Sequence, residues 1–272
     1  MKLSLALIVA AAVALAAPSA HAVLIYGSAT TNGTGALTVF DTTTATTTSL
    51  ATVPGNMGLS FDANDNLWGI SQANSQLYSI DTTTGVATAI GTGNPSISGI
   101  EGVTFDLSGR LLATGGNTNA VYQMDLGTGI LTQVGSYSGL ADVDGLSVAP
   151  VDVATANGTV TAGTIFVVDT GNVYTLDPTT FVATSLVSNS NAQETIAFGA
   201  DGTMYTNSGS SGEYYTLDLT SGATTALGGP PVWGSAVQGA LVSNTVPAPG
   251  TLALLALGLP MLSLLRRRRA PV

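Results

Sequence analysis

The sequence predicts an all-β protein built from one repeated unit, and two observations support this prediction. Residues 23–245 are rich in threonine, serine, glycine and asparagine, and they contain no long apolar pattern of helical period. Five segments in this body share one pattern, in which a short strand ends in aspartate and a polar turn leads to a second strand. The aspartates are Asp41, Asp81, Asp125, Asp177 and Asp218, spaced by 40, 44, 52 and 41 residues.

Each of these segments predicts a β-hairpin. QLYSIDTTTGVATAIG, which begins at Gln76, shows the pattern most clearly: its polar turn separates two runs of apolar and β-branched residues. We expect the aspartate side chains to accept hydrogen bonds from turn amides, a common role of aspartate in turns. The alternative is calcium binding at every turn.

A second strand–turn–strand unit precedes most of the hairpins. It reads MGLSFDANDNLWGIS from Met57, EGVTFDLSGRLLATG from Glu101, DGLSVAP from Asp144 and ETIAFGADGTMYTNS from Glu194. Four strands per repeat, with repeats spaced by 40 to 52 residues, are typical of β-propeller blades. The sequence therefore predicts a β-propeller with four-stranded blades, and a β-helix or a β-sandwich is the alternative.

The two ends of the body predict how the ring closes. LIYGS, from Leu24, lacks an inner partner strand, and QGALVSN, from Gln238, supplies one, so we expect five blades closed by the last strand. The extra stretch Val151–Gly163 is interpreted as a longer loop near the third and fourth blades. The FD…G…LY pattern resembles secreted NHL- or YVTN-like propellers, a likeness that supports the fold.

One column of residues begins the predicted inner strands: Met57, Glu101, Asp144, Glu194 and Gln238. Equivalent positions of inner strands converge on one mouth of a propeller channel. Three carboxylates and an amide oxygen there would suit a hard cation, so we predict a Ca²⁺ site formed by Glu101, Asp144, Glu194 and Gln238. The alternative is that these carboxylates are solvated at a wide mouth, with the glycines that follow them permitting tight strand starts.

The same column carries a resemblance to an enzyme family. Glu101-Gly102 and Asp144-Gly145 look like the metal-binding elements of gluconolactonase-like propellers. The resemblance implies that Glu101 and Asp144 are ligands of a metal that polarises a lactone carbonyl. That family has six blades, and its asparagine ligand has no counterpart here, since Glu194 occupies the next column position.

Charge and composition exclude several function classes. All 16 acidic residues lie between Asp41 and Asp218, and Arg110 is the one basic residue among them. Such a body repels phosphate backbones, so no nucleic-acid binding is expected. The chain has no cysteine and one histidine, His21, which excludes thiolate sites and imidazole-based triads from the body.

Residues 1–22 have the pattern of a secretory signal peptide. Lys2 precedes an apolar stretch from Leu3 to Ala17, and Ala20-His21-Ala22 is a small-x-small cleavage pattern. We expect cleavage after Ala22, which would also remove the histidine.

The end of the chain, residues 246–272, has three parts. Pro247 and Pro249 precede the apolar stretch 251–265, and Arg266, Arg267, Arg268 and Arg269 follow it. This layout resembles the PEP-CTERM sorting signal of Gram-negative bacteria, with Ala248 where that signal has glutamate. The resemblance implies transient membrane insertion through a transmembrane helix and cleavage by an exosortase-type membrane protease. A plain C-terminal membrane anchor is the alternative.

Together these features predict an exported, non-enzymatic protein of a Gram-negative bacterium, located at the cell surface or outside the cell. We assign no catalytic residues. The expected ligand is an extracellular polysaccharide matrix or a protein partner. The alternative function is a metal-dependent, lactonase-like hydrolase that uses the central carboxylates.

Overall fold

A computed structural model describes residues 23–31, 34–97, 99–115, 119–140, 143–191, 195–208, 213–228 and 237–242. All of these lie in one compact unit, Val23–Thr245. The predicted signal peptide and sorting tail lie outside the described residues, so their boundaries, including cleavage at Ala20–Ala22 and the Pro247–Pro249 and Arg266–Arg269 motifs, stay predictions. No helix in the described part of the chain is long and apolar enough to cross a membrane.

The described strands form five four-stranded antiparallel sheets, which confirms the predicted five-bladed β-propeller. Blade 1 contains β22 (Val237–Val242), β1 (Leu24–Thr31), β2 (Thr34–Asp41) and β3 (Thr46–Val53). Blade 2 contains β4 (Met57–Phe61), β5 (Leu67–Ser71), β6 (Leu77–Ile80) and β7 (Ala87–Ile90). Blade 3 contains β8 (Ile100–Phe105), β9 (Leu111–Gly115), β10 (Ala120–Met124) and β11 (Leu131–Ser136).

Blade 4 contains β12 (Val143–Val148), β15 (Ile165–Asp169), β16 (Asn172–Leu176) and β17 (Ala183–Ser188). Blade 5 contains β18 (Thr195–Phe198), β19 (Met204–Asn207), β20 (Tyr214–Leu217) and β21 (Thr224–Gly228). The first strand named for each blade is the innermost, and the five innermost strands lie next to one another in a closed ring. Strand β22 pairs with β1, matching Val242 with Ile25 and Leu241 with Tyr26, so the predicted closure is confirmed.

The antiparallel order defines two faces of the propeller. We call the face where the innermost strands begin the upper face, and the face where they end the lower face. The connections from first to second strand in blades 2 to 5, and the turns from third to fourth strand in all five blades, lie on the lower face because successive strands reverse direction.

The hydrophobic core lies between neighbouring blades. The inner strands β4 and β18 are buried along their whole length, because each is covered on both sides, whereas the outer strand β7 is partly or fully exposed throughout. Aromatic pairs join adjacent blades: the rings of Phe166 and Phe198 are 5.0 Å apart, and those of Phe40 and Tyr214 are 4.9 Å apart.

The insertion Val151–Gly163 is more ordered than the predicted loop. It forms a small hairpin of β13 (Val153–Thr155) and β14 (Gly158–Val160). The amide of Ala156 donates to the Leu219 carbonyl at 2.8 Å, and Asn157 Nδ2 donates to the Ser185 carbonyl at 2.9 Å. The hairpin therefore ties blade 4 to blade 5, contacts that a sequence pattern does not reveal.

Candidate functional site

Two of the predicted site residues, Glu101 and Asp144, occupy β-bulges on the upper face. In blade 3 Ile100 pairs with Gly115 and Gly102 pairs with Thr114, so Glu101 is an extra residue between two paired positions. Asp144 is likewise the extra residue between Val143 and Gly145 in blade 4. Bulges redirect side chains and are frequent beside functional sites.

The column position behaves differently in blade 2. Met57 pairs directly with Ser71, without a bulge, and its side chain is fully buried. The bulges are therefore found at two column positions that carry a carboxylate, and not at the position that carries methionine.

Both carboxylate residues line one narrow cavity at the channel axis. Its volume is about 10 Å³, and Gly102, Gly145 and Thr195 are also among its lining residues. This space corresponds to roughly one water molecule or one ion. A lactone ring is larger than this cavity. Solvated carboxylates at a wide mouth stay an alternative, because several connections of the upper face lie outside the described residues.

Three glycines explain why the axis is narrow. A Cβ atom at Gly58 would lie 2.7 Å from the Glu101 carbonyl oxygen, and one at Gly102 would lie 2.9 Å from the Leu146 amide nitrogen. At Gly145 the corresponding distance to the Ile196 amide nitrogen is 2.9 Å. Neighbouring inner strands thus approach backbone to backbone, which only glycine permits at these positions.

A network of polar side chains surrounds the carboxylate column. Gln72 Nε2 donates to Glu101 Oε1, and Asn56 Nδ2 donates to Gln72 Oε1 at 3.3 Å. On blade 5 Thr195 Oγ1 donates to the buried Asn207 Oδ1 at 2.8 Å. Sequence reasoning did not identify Gln72 or Asn207. Asn207 could have been found from hairpin register, because it pairs directly with Thr195.

The predicted Ca²⁺ site is only partly covered by the structure. Glu101 and Asp144 are brought together, whereas Glu194 lies outside the described residues and only the backbone of Gln238 is described. Within the described ranges there is no group of three or more histidine, cysteine, aspartate or glutamate residues that could hold a metal. The four-residue calcium site therefore stays a prediction.

The repeated aspartates of the hairpin turns have the predicted structural role. Oδ1 of Asp81 accepts hydrogen bonds from the amides of Thr83 and Thr84, both at 2.8 Å. Oδ1 accepts at least one turn amide in the same way at the other four positions: Asp41, Asp125, Asp177 and Asp218. At Asp218 the hydroxyls of Thr220 and Ser221 also donate to the carboxylate, and these bonds together with the Thr220 amide lower the pKa of Asp218 to about 2.

The fourth residue after each of these aspartates has a left-handed backbone. The φ angle is 75° at Gly85, 69° at Gly129 and 76° at Gly222, but it is also positive at Ala45 (52°) and Phe181 (55°). The turn geometry is therefore the same in all five blades, and two blades adopt it without glycine.

The lower end of the channel opens into a larger cleft of about 240 Å³. Phe61, Phe105 and Phe198 contribute apolar walls. Between them Ser60 Oγ accepts the Phe105 amide at 3.0 Å, and Ser147 Oγ accepts the Phe198 amide at 3.1 Å. These serines join neighbouring inner strands, so the cleft walls are held in place by hydrogen bonds as well as by packing.

Asp106 lies at the edge of this cleft, and both of its carboxylate oxygens accept hydrogen bonds. Its Oδ2 accepts Arg110 Nε at 2.7 Å, and its Oδ1 accepts the Arg110 amide at 2.9 Å. Partial burial raises the pKa of the Asp106 carboxyl, but hydrogen bonds from Ser108 and Arg110 outweigh that effect and lower it. The carboxylate is thus fixed in its charged form and does not have the raised pKa of a general acid.

Comparison with known proteins identifies the fold class. A chain of the nidogen/laminin complex superimposes with a TM-score of 0.54 at 12% identity, covering 81% of this chain and 98% of that one. A structural genomics protein of unknown function from Bacteroides thetaiotaomicron gives a TM-score of 0.52 at 15% identity, covering 84% of this chain and 62% of that one.

Virginiamycin B lyase from Staphylococcus aureus is a more distant match, with a TM-score of 0.43 at 11% identity, covering 75% of this chain and 69% of that one. No protein-family model and no curated protein sequence matches the chain. At these identities the likeness establishes the β-propeller fold, and that fold hosts many unrelated functions.

Proposed function

We propose that this protein is a non-enzymatic binding protein that is exported and works at the cell surface or outside the cell. Its ligand is an extracellular polysaccharide matrix or a protein partner. The observation that carries the proposal is the small size of the cavity that Glu101 and Asp144 line, which is about 10 Å³. A cavity of this size corresponds to roughly one water molecule or one ion, so we place ligand binding on the outer surface of the propeller.

Export and sorting are supported by the two ends of the sequence. Residues 1–22 have the order of a signal peptide, and residues 246–272 have the order of a sorting signal cut by an exosortase-type protease. The test is the intact mass of the protein recovered from the surface or medium of producing cells. We expect a chain that begins at Val23 and ends near Pro247–Pro249.

Two variants control this experiment. Replacing Arg266 to Arg269 with glutamine removes the basic end, and replacing Pro247 and Pro249 with alanine removes the proline pair. Both should leave uncut chains in the membrane fraction. Recovery of the wild type with residues 1–22 still attached, or in the cytoplasm, would contradict export.

The lactonase-like alternative is favoured by one observation, that two bulged carboxylates line the same cavity. A lactone-hydrolysis assay with and without EDTA separates the alternatives, because a metal-dependent hydrolase loses activity with its metal. We expect no hydrolysis above background. Activity that disappears with EDTA and in Glu101→Gln would replace the binding proposal.

Calcium binding at the column is tested separately from catalysis. Calorimetric titration of Ca²⁺ into the protein should give binding heat that is lost in Glu101→Gln and retained in Glu213→Gln, a change outside the column. No heat in the wild type would remove the calcium site.

A further inference from the structure

Among the described residues, the exposed large apolar side chains lie mainly on the lower face of the propeller. Six large hydrophobic residues are exposed in the described part of the chain. Five of them lie on lower-face connections: Val86, Leu107, Ile130, Val151 and Val182. Only Val134 lies on a strand. Their shared position makes the lower face a candidate interaction surface.

The lower face is also strongly acidic. Ten aspartates lie on its turns and connections: Asp41, Asp62, Asp65, Asp81, Asp106, Asp125, Asp152, Asp177, Asp201 and Asp218. The only cationic side chain among the described residues is Arg110, and it is bound to Asp106. A partner that covers this face must therefore bring positive charge.

Three consecutive blades place a carboxylate beside an exposed aliphatic side chain. In the turn of blade 2 the amide of Asp81 donates to the Val86 carbonyl at 3.0 Å, which holds the two residues side by side. The same bond joins Asp125 to Ile130 at 3.0 Å and Asp177 to Val182 at 3.1 Å. All six residues are exposed. Blades 1 and 5 have Thr46 and Ala223 at the aliphatic position, so the pairs are confined to blades 2 to 4.

Each of these pairs fits the side chain of arginine or lysine. The methylene stem of such a residue covers apolar surface while its charged head stays in contact with water and carboxylate oxygens. One aspartate oxygen is occupied by turn amides, and this fixes the carboxylate in place before a partner arrives. Three such pairs on adjacent blades would receive several basic side chains of one chain.

We propose that the lower face binds a basic polypeptide whose arginine or lysine side chains pack on the pairs Asp81–Val86, Asp125–Ile130 and Asp177–Val182. The inference rests on the proposed binding function and names the class of partner. Anionic lipid and nucleic acid are repelled by the ten aspartates. A polysaccharide is less well matched, because sugar rings stack on aromatic side chains and these three pairs are aliphatic.

The test measures binding of a labelled peptide of alternating arginine and alanine, about 16 residues long, to the protein isolated from its producing cells. The charge variant combines Asp81→Asn, Asp125→Asn and Asp177→Asn, in which the asparagine oxygen still accepts the turn amides. The apolar variant combines Val86→Ser, Ile130→Ser and Val182→Ser. Matched controls are Glu213→Gln and Val134→Ser, and a glutamate–alanine peptide controls for charge.

We expect the arginine peptide to bind, with an affinity that falls as salt rises. Each triple variant should weaken it about tenfold, because three exposed pairs are lost, whereas the controls should change it by less than about twofold. Unchanged affinity in both triple variants would overturn the inference. Equal affinities in the apolar variant and in Val134→Ser would also overturn it, since charge alone would then explain the binding.

A parallel assay separates this inference from the proposed function. Wild type and variants are added to producing cells that lack the protein. If the wild type and both triple variants attach equally, the lower-face inference fails and the binding function stands. If the wild type does not attach to cells or to their surface polymer, the binding function fails whatever the peptide does.

Discussion

The absence of a side chain at Gly102 allows two neighbouring inner strands to approach each other closely. A Cβ atom there would lie 2.4 Å from Thr114 Oγ1 and 2.8 Å from Leu146 Cβ, and both neighbours are buried. We predict that Gly102→Ala lowers the free energy of unfolding by about 1–3 kcal/mol, the usual cost of overpacking.

The matched control for this change is Gly127→Ala. Its new Cβ would meet only Asp125 Oδ1, at 3.5 Å. Urea unfolding of both variants measures the difference, and Gly127→Ala should stay within about 0.5 kcal/mol of wild type. Equal stability of Gly102→Ala and wild type would show that the inner strands do not approach as closely as described.

Ala45 gives a prediction in the opposite direction. It is exposed and has a φ angle of 52°, a left-handed conformation that glycine adopts at the equivalent position of three other blades. We predict that Ala45→Gly raises the free energy of unfolding by about 0.5–1 kcal/mol, because it removes a steric penalty. Ala89→Gly, at an exposed position of strand β7, should lower it by a similar amount. A loss of stability in Ala45→Gly would contradict the repeated turn geometry.

Phe181 has the same backbone strain but a compensating contact. A Cβ atom at Gly135 would lie 2.1 Å from the Phe181 ring, so the ring lies directly over that glycine. Its packing offsets its positive φ of 55°. For this reason we do not expect Phe181→Gly to be stabilising.

The aspartates of the hairpin turns should make the stability of the fold depend on pH. Turn hydrogen bonds lower the pKa of Asp81, Asp125, Asp177 and Asp218 from the ordinary value of 3.8. A lowered folded-state pKa adds stability that is fully present above the unfolded-state value and is lost as the pH falls through the folded-state value. The loss should therefore occur between about pH 4 and pH 2.

The measurement is the urea midpoint at a series of pH values across that window. A variant with asparagine at all four positions keeps the turns but cannot titrate there. We predict a shallower loss of stability on acidification for this variant than for the wild type. Parallel curves for the two proteins would contradict the role of the turn carboxylates.

At the level of elements, regular features were predictable and irregular ones were not. The strand–Asp–turn–strand repeat predicted the hairpins because each unit repeats the same local chemistry. The bulges at Glu101 and Asp144 depend on pairing with a second strand, which local sequence does not encode. The contact of Gln72 with Glu101 spans 29 residues and joins two blades. The small hairpin β13–β14 was missed because its segment reads as a polar insertion.

The fold of the whole body depends on strand β22. It supplies the innermost strand of blade 1 and lies between β18 and β4 in the ring. We predict that a chain ending at Ala236 unfolds at a lower temperature and aggregates, because blade 1 loses its inner strand and exposes an edge. A chain ending at Thr245 should match the full chain in thermal unfolding. Equal unfolding temperatures for the two truncations would contradict closure by β22.

The propeller fold was more predictable from the sequence than the lower face that we propose as the binding surface. The strand at Leu24 lacks an inner partner and the strand at Gln238 supplies one, which predicted how the ring of blades closes. The five aspartates predicted the number of blades. The sequence also directed attention to the upper carboxylates, whereas the cavity that Glu101 and Asp144 line is only about 10 Å³. The clustering of Val86, Ile130 and Val182 beside aspartates becomes visible only once all the turns are assigned to one face.

The most direct test of the account is a hydrogen-exchange map of the protein with and without the arginine–alanine peptide. If this propeller is a binding protein that works through its lower face, the peptide should slow exchange in the turns 81–86, 125–130 and 177–182. Exchange around Glu101 and Asp144 should stay unchanged. Protection at the upper mouth, with unchanged exchange in those three turns, would contradict the account.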